Sequence, residues 1–241
     1  MIYSERFYRD FSDSLRWNSY RVRVESTDLF VRTREDYSEE INSIITTVRE
    51  EIKDHILKQG SFLTTLNPIE RQENIPEIIE KMYRASEIAS VGPMAAVAGA
   101  IAEAVGVFLL DKSDEIIIEN GGDIWLNVIE PVVISIFAGE SVFSNKIAIK
   151  INPEDTPLGI CTSSGRVGHS FSFGKADSAT VISKNTALAD AVATASANIV
   201  KSEGDIDAAI EYAMSINEVS GIVIIYNDKL AVKGDIELTY P

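Results

Sequence analysis

Two stretches of small residues at helical spacing constrain the fold of this chain most. Residues 93–110 and 185–203 each carry alanine, glycine and other small side chains along one side of a helix. Helices with such stripes can bring their backbones close together, so that backbone carbonyls become available as ligands alongside side chains. The stripes consist of Ala95, Ala98, Gly99, Ala102 and Gly106 in the first stretch and of Ala187, Ala191, Thr194, Ala195 and Asn198 in the second.

The first stretch has the length of a membrane span but a different composition. Residues 91–110 are rich in alanine and glycine, which insert weakly into a bilayer, and Glu103 lies among them. We therefore expect a buried helix of a soluble protein, and we expect no membrane partner.

The rest of the chain predicts a mixed fold. Residues 19–36 indicate a hairpin that turns at Thr27-Asp28, and residues 37–60 indicate an amphipathic helix on which His55 faces solvent. Later strands and helices are mixed without the strict alternation of a doubly wound parallel sheet, so the class is α+β. We expect one domain over residues 1–241, either undivided or formed by two lobes that meet near the small-residue helices.

Charge and cysteine content narrow the classes of function. The chain has 37 acidic and 22 basic side chains, a net charge of −15, which repels phosphate backbones and argues against a nucleic-acid partner. Its single cysteine cannot form an internal disulfide, which suits a reducing cytoplasm. The charged N-terminal residues do not resemble a secretory signal, so we expect a cytoplasmic protein.

Asp190 and Thr194 form the first candidate site. They are four residues apart, so in a helix their carboxylate and hydroxyl share one face. Mg²⁺ prefers oxygen ligands of this kind, completed by water or a phosphate. The alternative is structural: Asp190 would favour the helix dipole, and Thr194 would bond to its own backbone. The spacing leaves both interpretations open.

The segment ENGGDIW carries the second candidate site. Asn-Gly between apolar runs is a strong hairpin signal, because both residues tolerate positive φ. The pair Gly121 and Gly122 also lets a flat ring approach the backbone closely, with Asn120 and Asp123 beside it. The structural and functional interpretations are compatible here.

Residues 159–177 carry the third candidate site, which is rich in glycine and hydroxyl groups. Thr162, Ser163, Ser164 and Gly165 can present hydroxyls and backbone N–H groups to an anion. His169 can act as an acid or a base near neutral pH.

The same segment contains the only cysteine of the chain, Cys161. It would be a nucleophile only if a positive neighbour or a helix terminus lowered its pKa. Otherwise it is a small buried hydrophobic residue.

Taken in order, the segments GPMAAVAGAIAEA, ENGGDI, CTSSG…GHSF and LADAVATA resemble the motif series of the FAD:protein FMN transferase superfamily, the ApbE-like proteins. More narrowly, the chain is similar to the short cytoplasmic branch found in archaea and anaerobic bacteria. The resemblance implies an α+β fold with antiparallel sheets and flanking helices around a cofactor cleft. ApbE-like folds often dimerise, so it also implies a homodimer.

The resemblance implies roles for the candidate residues. The A-D-A-x-x-T helix would bind Mg²⁺ through Asp190 and Thr194, assisted by a carbonyl near Ala98 to Ala102. The N-x-G-G-D turn and the T-S-G loop would contact FAD or FMN, with Ser163 and Ser164 as alternatives at one position. The implied flavin contacts are Asn120, Gly121, Gly122, Asp123, Thr162, Ser163, Ser164 and Gly165.

The chain also departs from the transferases, which leaves three functional hypotheses. Glu103 and alanine occupy the region where the transferases carry a lysine and an aspartate, and SFSFGKAD follows His169 in place of I-x-D-P-x-T-G. The first hypothesis is a Mg²⁺-dependent flavin or nucleotide transferase. The second is a thiol enzyme or persulfide carrier that uses Cys161, with His169 as a further catalytic candidate. The third is a metabolite-binding module without catalysis.

Overall fold

The computed structural model describes residues 16–165 and 174–241, which form two antiparallel sheets and a set of helices. Eleven strands occur in the described residues. They are β1 (Asn18–Val24), β2 (Thr27–Thr33), β3 (Ile116–Asn120), β4 (Asp123–Asn127), β5 (Val132–Ser135), β6 (Ala148–Ile151), β7 (Leu158–Ser163), β8 (Ser178–Ser183), β9 (Val219–Tyr226), β10 (Lys229–Gly234) and β11 (Glu237–Thr239).

The larger sheet has eight strands in the order β1-β2-β3-β4-β7-β8-β9-β10, and every neighbouring pair is antiparallel. The smaller sheet has the order β11-β6-β5 and is also antiparallel. The predicted α+β class with antiparallel sheets is confirmed.

Six α-helices accompany the sheets in the described residues. They are α1 (Ser38–Lys58), α2 (Ser61–Thr64), α3 (Glu77–Ala89), α4 (Val97–Leu109), α5 (Thr186–Ile199) and α6 (Ile206–Met214). The predicted helix over 93–110 begins as a 3₁₀ turn over Pro93–Ala96 and becomes α4 at Val97. Asn185 caps α5, because its side chain accepts a hydrogen bond from Leu188 N at 3.0 Å.

The large sheet separates two layers. Because successive side chains of a strand point to opposite faces, Leu158 and Ile160 lie on one face of β7 while Cys161 lies on the other. The first face packs against apolar residues of the small sheet, including Ile149 and Ile151. The second face packs against the helices. The candidate residues near Cys161 therefore lie between the large sheet and the helix layer.

The two small-residue helices do approach closely, as predicted. A Cβ added at Gly99 of α4 would lie 2.5 Å from Thr186 O and 2.9 Å from Asp190 Cβ of α5. Only glycine leaves room for this contact between the start of α4 and the first turns of α5. The approach brings the backbone of α4 against Asp190.

Two predicted local features are wrong. The first hairpin turns at Glu25-Ser26, whereas Thr27 and Asp28 belong to β2. His55 does not face solvent: it is 3% exposed, and its Nε2 lies 2.9 Å from Tyr83 Oη. The position of His55 beside the apolar stripe suggested exposure, but α3 covers that side of α1.

Across residues 16–165 and 174–241, no single helix has the length and apolar composition needed to cross a membrane. The two helical segments Glu77–Ala89 and Pro93–Leu109 together have this length and composition, but the chain bends by 108° between them.

Candidate functional site

The glycine-pair hairpin forms one wall of the candidate site. Asn120 of β3 pairs with Asp123 of β4, and the two glycines between them have positive φ angles of 74° at Gly121 and 114° at Gly122. The predicted hairpin is confirmed, but its turn residues are Gly121 and Gly122, one position later than the Asn-Gly pair on which the prediction rested, and Asn120 belongs to β3. Gly122 O also accepts a hydrogen bond from Thr162 N at 3.2 Å, which holds the hairpin against β7.

Asp123 and Cys161 are direct partners in the β4–β7 register. Both are buried, at 8% and 0% exposure, and both belong to the sheet face that the helices cover. The strand register therefore places a carboxyl group and the only thiol of the chain side by side.

Asp190 faces these residues from α5. Its Oδ2 accepts a hydrogen bond from Gly99 N at 2.9 Å, and the backbone of Ala98 also hydrogen-bonds to this carboxyl. Asp190 thus lies at the N-terminus of α4, where a negative charge is favoured. Burial, followed by the charge of Asp123, nevertheless raises the pKa of Asp190 well above its usual value, and the backbone hydrogen bonds only oppose this rise.

Cys161 lies among carboxyl groups and not beside a positive charge. Burial raises the pKa of its thiol well above the usual value, and Asp123 and Asp190 raise it further. The sulfur lies 3.4 Å from Thr186 O, as expected for a thiol that donates a hydrogen bond. The condition for a reactive thiolate, a lowered pKa, is not met, so the geometry favours Cys161 as a small buried residue.

Thr162 and Ser163, the hydroxyl residues that follow Cys161, lie on opposite faces of the large sheet. Thr162 Oγ1 lies 2.9 Å from Thr180 Oγ1, on the sheet face away from Asp123, so only the backbone of Thr162 reaches the hairpin. Ser163 is on the same face as Cys161, and its buried Oγ has no hydrogen-bond partner within the described residues.

The end of this segment turns towards residues 174–177. Ser164 Oγ and Gly165 N both donate to Ala176 O, at 3.3 and 3.0 Å. His169 lies outside the described residues, so its predicted catalytic role stays a prediction.

Thr194 lies one turn after Asp190 on α5 and is half-buried, so the predicted shared helix face is present. Ala98 O, at the start of α4, accepts a hydrogen bond from Asn120 Nδ2 at 3.1 Å. The carboxyl, hydroxyl and carbonyl named in the sequence analysis thus belong to adjoining elements. Within the described residues, no group of three or more His, Cys, Asp or Glu side chains is arranged to bind a metal ion.

Glu103 contributes to the site in a way that the sequence pattern did not predict. Its Oε2 accepts a hydrogen bond from Thr186 N at 2.8 Å, and its Oε1 accepts one from Lys81 Nζ at 2.8 Å. Burial lowers the pKa of Lys81, but the hydrogen bonds to Glu103 and Glu77 outweigh this and leave it raised. Glu103 therefore caps α5 and fixes Lys81, two contacts between residues far apart in sequence.

Comparison with known proteins agrees with this architecture. A family model described as "AbpE bacteria" matches residues 10–226. The UPF0280 protein of Methanocaldococcus jannaschii is 39% identical over 226 residues, which cover 91% of this chain and 92% of the relative. The UPF0280 protein of Methanobrevibacter smithii is 39% identical over 223 residues, which cover 90% of both chains.

Solved structures share the fold at low sequence identity. A point mutant of the flavin transferase ApbE from Vibrio cholerae matches with a TM-score of 0.57 at 14% identity, over 90% of this chain and 97% of that one. The ApbE protein of Thermotoga maritima matches with a TM-score of 0.51 at 13% identity, over 90% of this chain and 96% of that one. The chain therefore belongs to the ApbE-like family that the model describes, in the branch that includes the archaeal UPF0280 proteins.

Proposed function

We propose that this protein is a Mg²⁺-dependent transferase that binds a flavin nucleotide and cleaves FAD to transfer FMN. The observation that carries the proposal is the closeness of two buried carboxyl groups, Asp190 of α5 and Asp123 at the glycine-pair hairpin. Each of these features matches a position that the family resemblance assigns to Mg²⁺ or to the flavin nucleotide.

The residues present fit a hard divalent cation. Two carboxyl groups, Asp123 and Asp190, are buried close together, and burial, followed by the charge of Asp123, raises the pKa of Asp190. A divalent cation would remove this repulsion. Asp190, the Thr194 hydroxyl and the Ala98 carbonyl would supply its oxygen ligands, with water or phosphate completing the shell.

Ser163, Asn120 and the glycine pair also fit part of a flavin nucleotide. Ser163 Oγ is buried without a partner in the described part of the chain, so a ligand acceptor or donor would satisfy it. The glycine pair exposes backbone without side chains, which allows a flat ring to approach. Asn120 already donates to Ala98 O and can hold that carbonyl in place.

The chemistry divides between the cation and the chain. When bound, Mg²⁺ would polarise the pyrophosphate of FAD. The oxygen of an acceptor hydroxyl would bond to the phosphorus of the FMN half, the bond from that phosphorus to the bridging oxygen would break, and AMP would leave. Backbone hydrogen bonds hold the carboxyl of Asp190 at the N-terminus of α4, where only 8% of the residue is exposed. Asp190 and His169 are the candidates to accept the proton of the attacking hydroxyl.

A second candidate is a flavin- or metabolite-binding protein without catalysis. The observation that favours it is Glu103, which stands in the region of the transferase lysine and is engaged by Lys81 and by the backbone of Thr186. A carboxyl used in this way caps a helix and offers no positive charge to a phosphate.

The test compares FAD cleavage and FAD binding in the wild type and in Asp190→Asn. With water in place of the acceptor hydroxyl, we expect Mg²⁺-dependent release of AMP and FMN from FAD, abolished by a chelator, and a loss of about 100-fold or more in rate in the variant. Asp207→Asn, on the exposed side of α6, is the matched control and should retain full activity.

The outcomes separate the two candidates. FAD that binds but stays intact in all variants would support the binding protein and reject the transferase. Absence of both binding and cleavage would reject both.

A further inference from the structure

A cleft lies beside the proposed cofactor site. It has a volume of about 280 Å³ and lies between α1, the β1–β2 turn and the start of α4. Ala98 and Asn120, which hydrogen-bond to each other, line it. The cleft therefore continues from the glycine-pair hairpin towards α1.

The charge of this cleft is opposite to that of the chain. The net charge is −15, yet the charged residues that line the cleft are Arg49 and Lys53, and no acidic residue of the described chain belongs to its lining. The Arg49 side chain is only 14% exposed, and its Nε is buried with no hydrogen-bond partner among the described residues. A buried donor of this kind indicates that an acceptor is missing.

Glu25, at the exposed β1–β2 turn, holds both cations. Its carboxylate accepts hydrogen bonds from Arg49 Nη2 at 2.6 Å and from Lys53 Nζ at 2.5 Å. The Glu25 side chain is 57% exposed, and such ion pairs contribute little to stability. Arg49 also donates to Thr27 Oγ1 at 2.7 Å and to Ser26 Oγ at 3.2 Å, which orients the guanidinium. A doubly charged anion can therefore displace Glu25 and bind a pre-positioned Arg49.

The remainder of the lining is mainly apolar and suits the body of a ligand. Its apolar members are Ile52, Ile56, Met94, Val97 and Ile101. The volume lies just below the range of roughly 300–1,000 Å³ typical of drug-sized ligands. A cleft of this volume can enclose the body of one half of a dinucleotide.

We propose that this cleft is a subsite for a mononucleotide, with its phosphate on Arg49 and Lys53 and its organic body against the apolar wall. The subsite rests on the proposed function, because it assigns one half of the flavin dinucleotide to this cleft. FMN and AMP, the mononucleotides that cleavage of FAD gives, share the recognised chemistry, a phosphate monoester attached to an aromatic nucleoside or its ribityl counterpart.

Binding calorimetry on the full chain tests the subsite without any turnover. FMN is compared with riboflavin, and AMP with adenosine, in the absence of Mg²⁺ and at low salt. We expect one of the two phosphorylated ligands to bind about tenfold or more tightly than its unphosphorylated form, since charge-assisted hydrogen bonds carry the difference. The pair that shows the preference identifies the half that binds.

Three variants and one control assign the preference to the cleft. Arg49→Gln is expected to reduce the ratio of affinities to near one, and Lys53→Gln to reduce it in part. Glu25→Gln is expected to increase it, because the competing carboxylate is removed. Arg84→Gln removes an equal charge from the exposed pair with Glu218 and should leave the ratio unchanged.

The outcomes distinguish this subsite from the transferase function. A wild type without phosphate preference for either pair, or an unchanged ratio in both Arg49→Gln and Lys53→Gln, overturns the subsite even if FAD is cleaved. A preference that Arg49→Gln or Lys53→Gln removes, in a protein that leaves FAD intact, supports the subsite and rejects the transferase. Lys53 is half-exposed, so its variant keeps the test valid if Arg49→Gln fails to fold.

Discussion

His55 illustrates how a single side chain depends on contacts that its own helix does not reveal. Its ring makes edge-on contacts with Phe62 and Tyr83, at centroid distances of 4.7 and 5.5 Å, and Tyr83 Oη donates to Gln59 Oε1 at 2.5 Å. Burial, followed by the charge of Lys58, lowers the pKa of His55. The neutral imidazole is therefore the form that the folded protein stabilises.

The lowered pKa predicts a loss of stability in acid. A histidine with a depressed folded pKa stabilises the protein above its unfolded pKa of 6.5, and this contribution is lost as the pH falls through the folded pKa. We expect the melting temperature of the wild type to fall between about pH 7 and pH 5, and His55→Gln to show a weaker fall.

Tyr83→Phe is the control for this prediction. It removes the hydrogen bonds that join Tyr83 Oη to His55 and to Gln59, and it should lower stability by about 1 kcal/mol. It should nevertheless retain the acid dependence of the wild type. Circular dichroism melts over this pH range measure both effects. Equal acid slopes in the wild type and in His55→Gln would contradict the assignment.

At the residue scale, sequence reasoning succeeds where the requirement is local. The β3–β4 hairpin follows from its local turn signal, and its two glycines supply the positive φ angles, one position later than the Asn-Gly pair indicates. The hydroxyl of Thr162 could not be oriented in this way, because its direction depends on strand alternation and on its partner Thr180. The acidic surroundings of Cys161 likewise come from residues on three other elements.

At the element scale, Gly106 of α4 sets the distance between this helix and the sheet. A Cβ added at Gly106 would lie 2.0 Å from Trp125 Cε3, and Trp125 is 2% exposed. Helix propensity alone favours Gly106→Ala by about 1 kcal/mol. We nevertheless expect a net loss of about 1–3 kcal/mol, because the ring or the helix must move.

Gly60→Ala is the matched control for this substitution. Nothing lies within 4 Å of a Cβ added there, and φ is −58°, so we expect a change within about 1 kcal/mol. Urea denaturation of both variants gives the comparison. In a double-mutant cycle, Gly106→Ala should cost less in the Trp125→Leu background than in the wild type if the clash is its cause. Equal stabilities of the two single variants would contradict the packing argument.

The elements themselves could largely be predicted from the sequence, whereas the contacts between them could not. The small-residue stripes of α4 and α5 predict close packing, and Gly99 confirms it. The contacts of the carboxyl groups that bridge these helices could not be predicted in this way. Asp190 binds the backbone of Gly99, and Glu103 binds the backbone of Thr186, and no local pattern pairs residues so far apart in sequence.

At the scale of the whole molecule, the strand order limits what the sequence can predict. Hairpins between consecutive strands, such as β3–β4 and β9–β10, follow from turn signals. The pairing of β4 with β7 does not, because β5 and β6 leave the large sheet and form the smaller one. This non-local pairing places Cys161 beside Asp123, and the candidate site depends on it.

Glu115 connects segments that are distant in the chain and therefore tests the integrity of the whole molecule. Its fully buried carboxylate pairs with Arg16 and with Arg34, the latter at 2.9 Å, while Arg16 also donates to Glu130 O at 2.9 Å and to Pro131 O at 3.3 Å. Residues before β1, after β2, before β3 and before β5 are thus joined through the pair Arg16–Glu115. Burial opposes ionisation, but the hydrogen bond and charge of Arg16 outweigh it and lower the pKa of Glu115.

Glu115→Gln is expected to cost about 1–3 kcal/mol near neutral pH, because it removes charge-assisted hydrogen bonds to two partly exposed arginines. The matched change Glu218→Gln breaks an exposed pair with Arg84 and should cost less than about 1 kcal/mol. A glutamate with a lowered folded pKa stabilises the protein above its unfolded pKa of 4.5 and loses this contribution as the pH falls. Urea denaturation should therefore show that the difference in free energy of unfolding between wild type and Glu115→Gln becomes smaller in acid. A difference independent of pH would show that the carboxylate charge does not hold these segments together.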